Sequence, residues 1–133
     1  MPANLALLAA RLLLAFIFVS SGLSSLSDIG GAAGYFSSLG LPAAQLVAWA
    51  TCLFELAAGV MILVGIGTRA AAVALAAFCV AAAVIGHQGQ GGDDPMLVFM
   101  HQQALMKDFA IAGGLLALAV AGAGAWSLDA WRR

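Results

Sequence analysis

The residues of this chain able to do chemistry are a few ionisable side chains set inside long apolar runs. The foremost are Arg11, Glu55, His87, His101, Lys107 and Asp108. Glu55 sits in TCLFELAAGV, eleven residues from Ile66 and twelve from Ala43. At a helical rise of about 1.5 Å per residue, this is the middle of a bilayer-long segment. A charge at that depth costs roughly 3 kcal/mol or more, so the carboxyl must be protonated, paired, or facing a wet cavity. Arg11 and Lys107 have the depth and the reach to pair with it. Arg11, Glu55 and Lys107 are therefore expected to form a buried polar centre, either as a clasp between helices or as a proton- or redox-linked site. Snorkelling to the membrane face is the alternative for Arg11.

Asp108 adjoins Lys107 but is rotated about 100° from it around a helix. It shares a face with His101, seven residues earlier, and His87 closes the preceding apolar segment. His87, His101 and Asp108 are expected to line a pocket opening outward. Such histidines could bind a metal, hydrogen-bond a quinone carbonyl or rest in wet interface. Their spacing matches no tight metal motif, so no metal is assigned. Cys52 and Cys79 lie in apolar runs without a C-x-x-C and read as small buried hydrophobes.

Four segments are long and apolar enough to position these groups: about 5–26, 43–66, 68–88 and 97–121. Helices follow because lipid offers no partner to an unpaired backbone group, and no alternating pattern supports a barrel. The chain is thus expected to be one all-α membrane domain over 1–133, a four-transmembrane-helix bundle. A short interfacial segment between the first two spans would carry Tyr35, Phe36 and Leu39 on one face. Pro42 suits the first turn of the second span. Gly65-Ile66-Gly67-Thr68 reads as a tight hairpin with Thr68 as N-cap. HQGQGGDDP is an aqueous loop. Stripes of small residues (Ala15 and Gly22; Gly59; Ala72, Ala76 and Ala83; Gly113-Gly114) are read as packing faces. Arg11 before LLLAFIFVSSG resembles a signal peptide. The further spans of the same kind make it a retained first helix instead. Gly65-x-Gly67 and Gly122-x-Gly124 each close a hairpin, and each half opens near an arginine, Arg11 or Arg69. Duplication and convergent turn chemistry both account for this.

Composition agrees. Hydrophobic residues make up 64% and charged residues 8% of the chain, against about 25% charged in an ordinary globular protein. A net charge of −1 without a basic patch excludes nucleic-acid binding on electrostatic grounds. Arg69, Arg132 and Arg133 fall on one side of the bundle, and Asp28, Asp93 and Asp94 on the other. The positive-inside rule then places both termini in the cytoplasm, with Trp126 and Trp131 at that interface and Tyr35 and Trp49 at the outer one.

The order and spacing of several short elements resemble the DoxX family of small four-helix membrane proteins. They are Arg11 before a run ending Ser21-Gly22, then Leu39-Gly40-Leu41-Pro42, Glu55-Leu-Ala-Ala-Gly59, Leu63-Val-Gly65-Ile-Gly67-Thr68-Arg69, Lys107 with Gly113-Gly114-Leu-Leu, and Gly122-Ala-Gly124…Ser127-Leu-Asp129. The family's lysine shortly after the first-span glycine is absent; Ser24 and Ser25 stand there, which leaves Asp28 without that cation. The proline of the closing G-P-G is Ala123. The resemblance implies a bacterial inner-membrane protein. It also implies association with thiosulfate:quinone oxidoreduction or with thiol and oxidative-stress complexes. The cofactor is left open with quinone as an allowed one, membrane or soluble redox proteins are allowed partners, and a homodimer is an allowed assembly. A non-catalytic scaffold and a small proton-coupled transporter are the other functional classes weighed for this chain.

Overall fold

The computed structural model describes residues 2–133. It is all helix, with no strand among the described residues. The order is α1 (Pro2–Ser27), α2 (Ile29–Ser38), α3 (Ala44–Val64), α4 (Thr68–Ala82), α5 (Pro95–Ala121) and α6 (Leu128–Trp131). A π-helical turn over Ala83–His87 prolongs α4. α1, α3, α4 with its π turn, and α5 are each long and apolar enough to cross a membrane. α2 is the short segment between the first two spans, and Asp28 caps it by accepting from Gly31 N at 2.9 Å. Asp28 thus finds a backbone partner in place of the missing lysine.

Packing rests on small residues. α1 lies against α3, and α4 against α5. A Cβ on Gly22 would sit 2.6 Å from Leu56 Cγ, and one on Gly59 would sit 3.1 Å from Phe18 Cβ, so these glycines set the α1–α3 separation. Ala15, Ala48, Ala72 and Ala83 are fully buried. Close backbone approach replaces the hydrophobic drive that lipid does not supply. Gly113 and Gly114 depart from the expected packing role. Nothing lies within 4 Å of a Cβ on Gly113, and Gly114 meets only Leu14 at 3.8 Å. The buried side of α5 runs through Ala112, Leu115 and Leu118. The two glycines lie outside that stripe.

One end of the bundle is held by polar bonds to backbone. Arg11 is 2% exposed. Its Nε donates to Ile62 O at 2.9 Å, and its Nη2 donates to Leu63 O at 2.6 Å. Its Nη1 donates to Ala123 O at 3.1 Å and to Trp126 O at 2.6 Å. The guanidinium therefore satisfies last-turn carbonyls of α3, which have no intrahelical partner, and places a cation at that helix's negative end. Gly65 is needed at this point twice over. Its φ is +71°, and a Cβ would come 2.8 Å from Arg11 Nη2. Arg69 makes a matching bond, from Nη1 to Ala119 O at 3.1 Å. Ile62 precedes Gly65 by three residues, as Ala119 precedes Gly122. Each hairpin's opening arginine thus caps the equivalent carbonyl of its own second span, which favours duplication over convergence as the origin of the two Gly-x-Gly turns.

Asp129 completes this end. Its carboxylate accepts from Gly67 N at 2.8 Å and Thr68 N at 3.0 Å, and its own N–H donates to Gly65 O at 2.7 Å. The N-cap of α4 is accordingly Gly67, and the capping oxygens come from Asp129 rather than from Thr68. Pro42 likewise falls two residues ahead of α3, which starts after Ala43 in a left-handed conformation. Asn4 Oδ1 accepts from Ala125 N at 3.1 Å, tying the start of α1 to the segment after α5.

Two outcomes follow. Arg11→Ala orphans buried carbonyls on two segments and should lower the unfolding free energy by about 3 kcal/mol or more. Arg11→Lys, with one ammonium in place of a fork, should recover only part. Titration with sodium dodecyl sulfate in mixed micelles measures both, and an Arg11→Ala protein as stable as the parent contradicts the assignment. The backbone N–H groups of Thr68 and then Gly67 hold the Asp129 carboxyl below the ordinary carboxylate range. Its contribution is therefore complete above the ordinary value and disappears as pH falls through the depressed one. Asp129→Asn should remove that part of the acid sensitivity in a melting-temperature series.

Candidate functional site

The other half of the bundle is hollow. A cavity of about 620 Å³ lies between α1, α2, α3, α4 and α5. Its walls are mostly apolar and include Phe18, Phe36, Phe78, Ile85 and Ile111. Its polar lining is Ser21 and Ser25 from α1, Tyr35 from α2, Thr51 and Glu55 from α3, Cys79 from α4, His87 from the π turn and Asp108 from α5. The i, i+4 spacing of Ser21–Ser25 and of Thr51–Glu55 puts each pair on one helix face. The neighbouring helices α1 and α3 thus each present a polar pair to an otherwise apolar pocket.

Glu55 is 8% exposed, and the space beside it is this cavity. The structure does not bring Arg11, Glu55 and Lys107 together. Arg11 gives its donors to carbonyls at the far end. Lys107 is exposed on the outer side of α5. The physical reason is that unpaired helix-end carbonyls lie within reach of the guanidinium and together accept four hydrogen bonds from it. One residue of rotation then points Lys107 away from the interior while Asp108 points in. Among the described residues the one histidine–carboxylate contact is His87 Nε2 with Asp108 Oδ2 at 3.6 Å, an ion pair when the imidazole is protonated.

His87, His101 and Asp108 do assemble. His87 Nδ1 lies 3.0 Å from His101 Nδ1. Since both atoms are the same type of ring nitrogen, one must carry the proton and the other accept it. His87 and Asp108 face the cavity, while His101 lies behind His87 and outside the lining. The three form a row leading from the cavity past the end of α4. Among the described residues no three His, Cys, Asp or Glu side chains converge on a common point in the manner of a metal site.

The π turn aims this row. Gln88 N reaches back to Ala83 O at 3.1 Å, closing a wide turn that carries one extra residue. Gly86 O accepts from Tyr35 Oη at 2.8 Å, and a Cβ on Gly86 would meet that same oxygen at 3.1 Å. α2 is therefore latched over the cavity through its one tyrosine. Burial, with a smaller effect from Asp108, pushes the Tyr35 phenol above its ordinary value, so it remains a donor at neutral pH. Sequence reasoning had Tyr35 as an interface anchor and left out Ser21, Thr51 and Gly86. The two i, i+4 polar pairs were the signal available for the serine and threonine. The wide turn left no such sign.

Known proteins match this layout. The DoxX family model matches residues 6–88. This chain belongs to the DoxX family. It is 34% identical over 128 residues to the inner membrane protein YphA of Escherichia coli strain K12, covering 92% of this chain and 87% of that protein. It is 31% identical over 126 residues to the inner membrane protein YqjF of the same organism, covering 95% of this chain and 91% of that one. No solved structure matches. As a DoxX protein the chain is a multi-pass integral membrane protein of bacterial inner-membrane type with lipid as its surroundings, in keeping with its four apolar spans.

The latch can be tested through Cys79, which lines the cavity, with Cys52 as internal control. Cys52 Sγ donates to Gly22 O at 3.2 Å and lies between α1 and α3, outside the cavity. Tyr35→Phe removes the bond to Gly86 and should raise the rate of Cys79 labelling by a lipid-soluble maleimide several-fold while Cys52 stays protected. Equal labelling rates in parent and variant would remove the latch.

Proposed function

We propose that this DoxX protein is the membrane subunit of a redox-linked assembly and that its cavity takes the head of a quinone. The observation that carries this reading is the Asp108–His87–His101 row opening off an aromatic-walled cavity that also holds Glu55. A quinone supplies two-electron, two-proton redox chemistry when bound. The residues present fit such a head. Phe18, Phe36 and Phe78 offer faces to a planar ring. Protonated Glu55 and an N–H of His87 are donors suited to its two oxygens. The volume exceeds that of one ring and leaves space for part of an isoprenoid tail.

This chain's part is to hold the ring, exclude water and move protons. Glu55 and Asp108 are the carboxyls able to exchange a proton with the ligand. His87 can pass it to His101 by swapping which nitrogen carries it, with a small rotation closing the 3.6 Å gap to Asp108. Electrons pass to or from a redox partner protein. The basic residues gathered at the clasped end support cytoplasmic termini, so the row of histidines faces the other side of the membrane.

A second reading has a specific observation in its favour. Among the described residues Lys107 has no ion-pair partner, and a Cβ on Gly113 would meet nothing within 4 Å. An exposed cation at membrane depth with a close-approach glycine suits a helix of a partner protein, as a scaffold would need.

Extraction of the protein in native-lipid particles, followed by quinone analysis and titration with a short-chain quinone, decides the main reading. Stoichiometric quinone, or saturable binding weakened at least tenfold by His87→Ala, is expected. Quinone-free particles with no saturable binding would overturn it. Retained partner recovery with Glu55→Gln, together with its loss on Lys107→Ala, would favour the scaffold.

A further inference from the structure

The lining of the cavity is one-sided in charge. Glu55 and Asp108 both face it, and no lysine or arginine does. Glu55 is 8% exposed, and its carboxyl has no ion-pair partner among the described residues. The groups facing it come from every neighbouring element. α1 offers the neutral Ser21, α2 offers Tyr35, α4 offers Cys79, the π turn offers His87, and α5 offers Asp108. None of these is a fixed cation. Arg11, the buried cation, gives four donors to backbone carbonyls, and Lys107, whose charge acts on Asp108 and His87, is exposed and outside the lining.

An uncompensated carboxylate in such a place is neutralised by a proton or by something that enters. The protein supplies the aromatic faces that a cation with an apolar body would use, at Phe18, Phe36, Phe78 and Tyr35. We propose that the cavity is a binding site for a lipophilic organic cation, a protonated amine or quaternary onium with an apolar body, which takes the place of the proton on Glu55. The exchange is balanced: the Glu55 carboxyl releases one proton to water as one monovalent cation enters. This goes beyond the redox reading and does not rest on it. A neutral quinone head uses the protonated form of Glu55, and an onium uses the ionised form.

The test uses the full-length protein in nanodiscs of zwitterionic lipid. Tetraphenylphosphonium is the probe, and neutral triphenylphosphine oxide is its uncharged counterpart. The phosphonium should bind saturably, with affinity rising up to about tenfold per pH unit while Glu55 is protonated. One proton should be released per cation in weakly buffered solution. Glu55→Gln should abolish both the pH slope and the proton release. Asp108→Asn should weaken phosphonium binding several-fold and leave the pH slope in place. Binding of triphenylphosphine oxide, which carries no charge and accepts hydrogen bonds, should not rise with pH. Phosphonium binding that ignores pH, releases no proton, or survives Glu55→Gln unchanged would overturn the proposal, as would its absence. The pH slope and proton count of the unsubstituted protein decide the matter even if Glu55→Gln fails to fold. Quinone titration of the same nanodiscs reports on the redox reading separately, so either can fall alone.

Discussion

Arg11 brings a permanent charge inside the bundle and directs all of it at backbone oxygen. A guanidinium has five N–H donors in a rigid fork and cannot shed its proton. Once it enters hydrocarbon it must find acceptors, and helix ends are the richest local source. The carbonyls of Ile62, Leu63, Ala123 and Trp126 meet that need from two separate segments. The turn between α3 and α4 and the chain after α5 are therefore fixed relative to α1. Asp129 reinforces the same corner from the opposite polarity, offering an anion to the N–H groups that open α4.

The chemistry at the other end depends on that allocation. With the interior cation committed, no cation of the protein pairs with Glu55, which lines the cavity beside the neutral Ser21. The bundle is polarised along its length into a filled, hydrogen-bonded end and a hollow, protonatable end. α2 closes the hollow end through one tyrosine, and the π turn supplies the carbonyl that receives it. Packing and site are thus two uses of the same scarcity of polar groups.

The sequence made the all-helical membrane architecture legible because hydrocarbon leaves so few alternatives. Runs of apolar residues and glycine-rich breaks mark the spans plainly. The left-handed glycines at 65, 67, 122 and 124 were also readable, since each ends a run that must turn at once. The partners of individual charges were not. Glu55 and Arg11 sit in neighbouring spans, and reach alone allowed them to meet. What sequence spacing does not convey is competition from backbone groups, which the carbonyls at Ile62 and Leu63 decided. Lys107 was misplaced for a rotational reason, because adjacent residues on α5 diverge and only Asp108 faces inward. The histidine row emerged from shared helix faces, but the π turn that directs His87 depends on tertiary contact with Tyr35.

The two arginine bonds divide the molecule's assembly into stages. Arg11 to Ile62 lies within the first hairpin, and Arg69 to Ala119 lies within the second. Each pair of spans can thus satisfy one helix end before it meets the other pair. The contacts from Arg11 to Ala123 and Trp126, those from Asp129, and the bonds of Asn4 with Ala125 and of Tyr35 with Gly86 wait for both to be present. For a chain threaded into lipid from its N-terminus, the first hairpin enters carrying unfilled donors, and the segment that follows the fourth span is the one that fills them.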